Sequence, residues 1–235
     1  MEKRLDKRIA LITGASRGIG AAIAKKYGKE GAHVIIAGRT ASDLEKTDDA
    51  IRENGGTGTI TPIDLNQFEK IDQLGALIYE RFGKLDILVG NAAQIGHLSP
   101  MHQIEPKVWE KTISLNLTAN YRLIRSIDPL LRMSDSGRAI FVTSTVAQAD
   151  SPYWGAYAVS KAALEKMVET YASEVEQTKI RVNMVDPGQV DTTMLAEAMP
   201  GMDMSKINKP DDVAEIFVQL AEKSCNENGN LYKIS

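Results

Sequence analysis

Short β-rich runs recur along the chain and alternate with longer stretches in which apolar residues return every three or four positions. The first pattern fits buried strands and the second fits helices that present one face to a core. Strands are predicted at about 8–13, 33–37, 57–63, 85–90, 138–144, 180–186 and 231–234. Helices are predicted at about 19–29, 41–53, 67–82, 105–132, 157–177 and 210–222. This alternation is the rhythm of a parallel sheet with helical crossovers. No repeat, low-complexity tract or linker breaks it, so residues 1–235 are read as one domain.

Local signals support two of the helix starts. Thr40 or Ser42 can cap the second helix, and Pro210-Asp211-Asp212 places a proline and two acids in the first turn of the last. The least regular stretch, 191–209, carries Met194, Leu195, Met199, Met202 and Met204 among polar residues. Flexible apolar side chains without a clean period suit an adaptable lid over an apolar ligand, and equally suit a loop packed into the core.

Composition narrows the function classes. With 28 Lys and Arg against 31 Asp and Glu, the net charge is −3, and no long basic run is present. Neither a nucleic-acid partner nor an acidic membrane is therefore expected. The 43% hydrophobic and 25% charged content is that of a compact soluble domain. Cys225 stands alone, which precludes an internal disulfide and points to a reduced, cytoplasmic setting. The apolar run 9–12 is too short for a signal-peptide core, and no stretch approaches the ~18 apolar residues of a membrane span. His33, His97 and His102 with one distant cysteine make no metal-ligand spacing, so no metal is expected.

Candidate chemistry begins where the first strand runs into Gly14-Ala-Ser-Arg-Gly18-Ile-Gly20 and then a helical pattern. A glycine turn between strand and helix lets backbone amides approach a pyrophosphate, whose charge the helix N-terminus favours. The spacing is G-x-x-x-G-x-G rather than the commoner G-x-G-x-x-G. At the end of the second strand, where an acid usually binds the ribose 2′-hydroxyl, the chain reads Gly38-Arg39-Thr40. Arg39, with Arg17 from the glycine loop, suits a 2′-phosphate, so NADP(H) is favoured and NAD(H) is the second choice. Farther on, the strand 139–142 delivers Thr143-Ser144-Thr145, and Tyr157-Ala-Val-Ser-Lys161 heads a long helix. At i and i+4, the lysine ammonium can stand beside the phenol, favour the phenolate and make the tyrosine a usable acid/base.

These pieces, with Asn91-Ala92 after the strand near 85–89, Asn116 and Pro187-Gly188, stand in the order of the short-chain dehydrogenase/reductase family, classical type. The chain resembles that family over nearly its whole length. The resemblance implies a single doubly wound Rossmann domain, a three-layer α/β/α sandwich with about seven parallel strands. It implies that Tyr157 is the general acid/base, that Lys161 lowers its pKa and holds the nicotinamide ribose, and that Ser144 hydrogen-bonds the substrate oxygen. Asn116 would hold a water that links Lys161 to solvent.

For the cofactor, the resemblance implies a loop of Gly14, Ser16, Arg17, Gly18, Ile19 and Gly20, followed by Arg39 and Thr40. Asp64 and Leu65 would meet the adenine, and Asn91 and Ala92 would line the cleft beside it. Val190 and Thr192, after Pro187 and Gly188, would meet the carboxamide. The expected activity is an NADP(H)-dependent interconversion of a small-molecule carbonyl and alcohol. A 3-oxoacyl-thioester reductase and a catalytically silent NADP-binding sensor or scaffold are the alternatives.

The chain departs from the family pattern in three places. Gly90-Asn91-Ala92-Ala93 replaces the usual Asn-Asn-Ala-Gly, Asp186 replaces the asparagine of Asn-Pro-Gly, and the tail 231–235 is short. The helix from Tyr157 carries Ala158, Ala162, Ala163, Leu164, Met167, Val168, Tyr171 and Ala172, more than one buried stripe requires. With the resemblance, this implies a homodimer or homotetramer packed through that helix and the one near 105–132. Substrate contacts would come from 94–104, 145–156 and 189–207, where no motif identifies the substrate.

Overall fold

The computed structural model describes residues 3–234. Seven strands form one wholly parallel sheet: β1 (Ile9–Thr13), β2 (His33–Gly38), β3 (Thr57–Pro62), β4 (Ile87–Gly90), β5 (Arg138–Val142), β6 (Arg181–Asp186) and β7 (Leu231–Lys233). Their spatial order is 3-2-1-4-5-6-7. Every predicted strand is present; the central ones are buried, whereas the edge strands β3 and β7 contain no fully buried residue. In β5 all five residues are buried, as a strand covered by helices on both faces requires. The doubly wound α/β fold expected from the sequence is therefore the fold observed.

Helices α1 (Gly18–Lys29), α2 (Ala41–Glu53) and α3 (Phe68–Phe82) follow the first three strands. After β4 come α4 (Pro106–Ile113) and α5 (Ala119–Arg132), then α6 (Gly155–Glu174), α7 (Thr193–Ala198) and α8 (Pro210–Ala221). Two apolar cores lie on opposite faces of the sheet. One joins Leu88 and Phe141 to Leu123, Leu164 and Val168, and the other joins Val89 and Ile140 to Ile23, Phe217 and Val218. Strand order reverses between β1 and β4, and a crevice at the carboxyl ends of the strands opens at such a switch point.

Three local details differ from the periodicity. The single helix predicted at 105–132 is interrupted by one wide π-turn, Ser114–Thr118, where the Ala119 amide bonds back to the Ser114 carbonyl. Apolar periodicity continues across such a turn, so the pattern conceals it. The irregular stretch 191–209 contains a short helix, α7, whose first turn is capped by the Thr192 hydroxyl accepting from the Leu195 amide at 3.2 Å. Thr40 precedes α2 as anticipated but makes no side-chain cap. At α8 the anticipated proline and acids are in place, and the Asp212 carboxylate accepts from the Lys209 amide at 2.7 Å.

Candidate active site

The glycine loop is stitched to the neighbouring strand before any ligand is considered. The Thr13 hydroxyl accepts from the amides of Asn91 and Ala92 at 3.0 and 3.1 Å and donates to the Val89 carbonyl at 3.2 Å. The Asn91 side chain donates to the carbonyls of Thr13 at 2.9 Å and Gly14 at 3.2 Å. Its amide group thus fixes the loop's shape. Gly14 has φ +65°, a conformation that side chains rarely adopt. Gly20 has a different reason: a Cβ there would overlap the Gly14 carbonyl oxygen, so only glycine lets α1 sit this close to the loop.

At the start of α1, Arg17 is the flanking residue; no side chain caps the helix, and its first turn holds no acid. Its amides therefore face the loop without a side-chain acceptor, a setting that favours an anion. Arg17 and Arg39 are exposed beside it, and among the described residues neither guanidinium has a hydrogen-bond or ion-pair partner.

From this loop a cavity of about 480 Å³ runs across the ends of β1, β4, β5 and β6. Gly14, Ser16, Arg17, Gly18, Ile19 and Arg39 line its first part. Asp64, Leu65, Asn91 and Ala92 follow, then Ser144, Tyr157 and Lys161, then Pro187, Gly188, Val190 and Thr192. Three expected site residues lie off the lining. Gly20 is packed behind the loop, Thr40 is exposed at the start of α2, and Asn116 is wholly buried in the π-turn. The Asn116 side chain accepts from the Gln94 amide and donates to the Gln94 carbonyl and the Ser160 hydroxyl, each at 2.9 Å. That amide is fully committed to tying the 94 segment to α6. Asp64 lines the cavity, but one of its oxygens accepts from both the backbone and side-chain amides of Asn66.

Ser144 follows β5, and Tyr157 and Lys161 lie on the first turns of α6. Tyr157 is buried, and burial pushes its phenol up to about 12; the neighbouring Ser144 lowers it, and Asp186 adds to the rise. Lys161 is 2% exposed, and its Nζ donates to the Val142 carbonyl at 2.7 Å. Burial lowers this ammonium to about 8, opposed by the carboxylates of Glu165 and Asp186. The sequence assigns the lowering of the phenol's pKa to Lys161, whereas here Ser144 supplies it. The reason is electrostatic: an ammonium brought down to about 8 by burial has lost its charge before a phenol at about 12 ionises.

The far end of the cavity is apolar. Ile95, Leu115, Val146, Trp154, Met194 and Met199 line it, and the Trp154 ring lies 5.9 Å from the Tyr157 ring. Met194, Leu195 and Met199 thus fall where a lid would place them, whereas Met202 and Met204 do not line the cavity. The base of this segment is closed by Lys209 and Asp191, whose Nζ and Oδ2 lie 2.5 Å apart. His97 and His102 are exposed and off the lining.

Glu165 and the threonines either side of Ser144 escape motif reading. The Thr143 hydroxyl donates to Glu165 Oε1 at 2.6 Å, and the Thr145 hydroxyl donates to Asp186 Oδ2 at 2.7 Å. Helical spacing held the signal, because Tyr157, Lys161 and Glu165 repeat at four-residue intervals on one face.

Comparison with known proteins gives concordant results. The family model described as short chain dehydrogenase matches residues 8–203. The chain is 36% identical over 219 residues to "Uncharacterized oxidoreductase YciK" of Escherichia coli strain K12, covering 92% of this chain and 86% of that protein. Among solved structures, a short chain dehydrogenase of Shigella flexneri 2a strain 301 complexed with NADP is 34% identical, with a TM-score of 0.95 and coverage of 99% of each chain. One from Escherichia coli CFT073 complexed with NADPH is also 34% identical with a TM-score of 0.95, covering 99% of this chain and 98% of that one.

Proposed function

Since the chain belongs to the short-chain dehydrogenase/reductase family, we propose that it is an NADP(H)-dependent oxidoreductase that interconverts a carbonyl and an alcohol, with Tyr157 as the general acid/base. One observation carries this reading. A buried tyrosine, a serine and a buried lysine one turn from the tyrosine together line the cavity that begins at the glycine loop.

The residues present fit a phosphorylated dinucleotide. The uncapped start of α1 suits a pyrophosphate, and the two unpaired guanidinia of Arg17 and Arg39 suit a further phosphate. Relatives of the same fold solved with NADP and NADPH support the same choice. Bound here, the nicotinamide would supply or accept hydride. The chain's own residues would do the rest. Ser144 and Tyr157 would hold the carbonyl oxygen between two donors, and Tyr157 would deliver its proton as negative charge develops there. Lys161 would supply positive charge behind them, and Trp154 with Met194 and Met199 would keep water from the reacting carbon.

Among the charged lining residues, Arg17, Arg39 and Asp64 belong to the dinucleotide end, which leaves Lys161 alone at the reacting end. Among the described residues, a substrate with an anionic group would find no dedicated partner beyond that lysine, whereas apolar rings or chains fit the walls. The substrate class is therefore a neutral, apolar ketone or aldehyde. NADPH consumption over matched ketones and aldehydes with and without a carboxylate tests this. The neutral compounds should be preferred, and no consumption with any carbonyl compound would overturn the activity.

The assembly proposed is a homodimer or homotetramer through α5 and α6. Tyr121 on α5 and Val159 on α6, 51% and 42% exposed, are apolar side chains left facing outward on those helices. Sedimentation should show an oligomer at micromolar concentration, and a strict monomer would contradict it.

A further inference from the structure

Three buried ionisable groups converge behind the Ser144 hydroxyl, and the proton transfer described above uses only one of them. Lys161 is 2%, Asp186 3% and Glu165 8% exposed. Glu165 reaches from α6 to Thr143, and Asp186 reaches from the end of β6 to Thr145, so the residues on both sides of Ser144 each donate a hydroxyl to a carboxylate. The remaining oxygens are also engaged. Glu165 Oε2 accepts from Gln148 Nε2 at 3.1 Å, and Asp186 Oδ1 accepts from the Gly188 amide at 3.0 Å. Gln148 in turn accepts from Lys233 of β7 at 2.6 Å, which ties the clamp to the edge of the sheet.

Resting on the reductase reading, we propose that Glu165 and Asp186 are positioning residues for that reaction. They fix Ser144 through its two threonine neighbours and hold Lys161 in its charged form.

The physical case has two parts. Ser144 has extended backbone, φ −162° and ψ 149°, with nothing in its own local structure to fix the direction of its hydroxyl. Hydrogen bonds to carboxylates are stronger than neutral ones, and placing one on each side confines the intervening residue. The second part is electrostatic. A wholly buried ammonium loses its hydration and tends to shed its proton. Lys161 has no carboxylate within ion-pair distance among the described residues, and one carbonyl bond to Val142 does not replace water. The charged groups acting on it are Glu165 from its own helix and Asp186 from β6, both of which favour the ammonium. Asp186 stands where the resemblance gives an uncharged asparagine, so this chain has added charge to the reacting centre.

The test uses the full chain in five forms: unmodified, Glu165→Gln, Asp186→Asn, Thr143→Val and Thr143→Ser. The Nζ resonance of Lys161 in ¹⁵N-lysine-labelled protein, identified by its loss in Lys161→Met, reads the ammonium directly without any substrate. Its midpoint, expected at about 8 in the unmodified chain, should fall by about one pH unit in each carboxamide variant. The alkaline limb of kcat should fall with it, while KM for NADPH stays unchanged. Thr143→Val should lower kcat by about tenfold without lowering that midpoint, and Thr143→Ser should restore it.

Unmoved midpoints in both carboxamide variants, or full kcat in Thr143→Val, would overturn the proposal. Movement in one variant alone would overturn it for the other carboxylate. If Glu165→Gln does not fold, the near-isosteric Asp186→Asn carries the test. An unmodified chain that reduces no carbonyl compound would overturn the reductase reading, and the Nζ titration would still decide the charge on Lys161.

Discussion

The Lys161 Nζ donates at 2.7 Å to the carbonyl of Val142, two residues ahead of Ser144. This bond spans from helix α6 to strand β5 and holds in register the two elements that supply the proposed proton donors. Tyr157 lies one turn before Lys161, and Ser144 lies just beyond Val142, so the contact between Tyr157 and Ser144 inherits its geometry from that bond. It also places an ammonium where water cannot reach it, with a measurable consequence.

The Lys161 ammonium is held at about 8 against an ordinary 10.5, so between those pH values the unfolded chain binds more protons than the folded one. Below about pH 8 the folded protein bears the whole penalty of a buried charge, and that penalty is relieved as pH rises toward 10.5. Relative to Lys161→Met, the unmodified protein should gain stability on the order of 3 kcal/mol across this window. Urea midpoints at pH 7.5 and 9.5 for both proteins check it. Parallel changes in the two would contradict the assigned burial.

Arg39→Ala should raise KM for NADPH by about tenfold to a hundredfold, as expected for losing a charge-assisted hydrogen bond to phosphate, and leave that for NADH nearly unchanged. Steady-state kinetics with both cofactors check this. Equal effects on the two would remove the assignment of Arg39 to a 2′-phosphate.

Gly20→Ala places a Cβ against the Gly14 carbonyl and the Asn91 side-chain amide that holds it, which leaves little room to yield. Stability should fall by about 1–3 kcal/mol, and NADPH affinity should weaken with it, because the displaced loop is the one proposed to hold the pyrophosphate. Thermal melts and a fluorescence titration of NADPH check the two together. Unchanged affinity at full occupancy of the folded state would mean that the loop does not hold the dinucleotide.

Much of this was legible in the sequence for reasons that follow from its physics. Strands such as Ala139–Val142 are short β-rich runs, and nothing but a sheet covered on both faces buries them. Tyr157 and Lys161 were legible because a four-residue interval on a helix determines a shared face. Asn116 was legible as a motif residue, but its place was not: the π-turn around it keeps the surrounding apolar period while turning the side chain to Gln94 and Ser160. Helical spacing puts Glu165 on the face of Tyr157 and Lys161, but a charge on a helix ordinarily faces water, and only tertiary structure shows this one meeting Thr143. Spacing places Lys161 near the Tyr157 ring but does not show how far burial raises the phenol and lowers the ammonium.

The central claim is that the Tyr157 hydroxyl delivers the proton to a carbonyl oxygen held beside a bound nicotinamide. Tyr157→Phe removes that hydroxyl and leaves the ring that packs against Trp154. The most direct measurement is the rate of NADPH oxidation by this variant and by the unmodified protein with the best neutral ketone, alongside NADPH binding by fluorescence. Turnover should fall by at least about a hundredfold with binding preserved. Turnover equal to that of the unmodified protein, with NADPH bound as tightly, would contradict it.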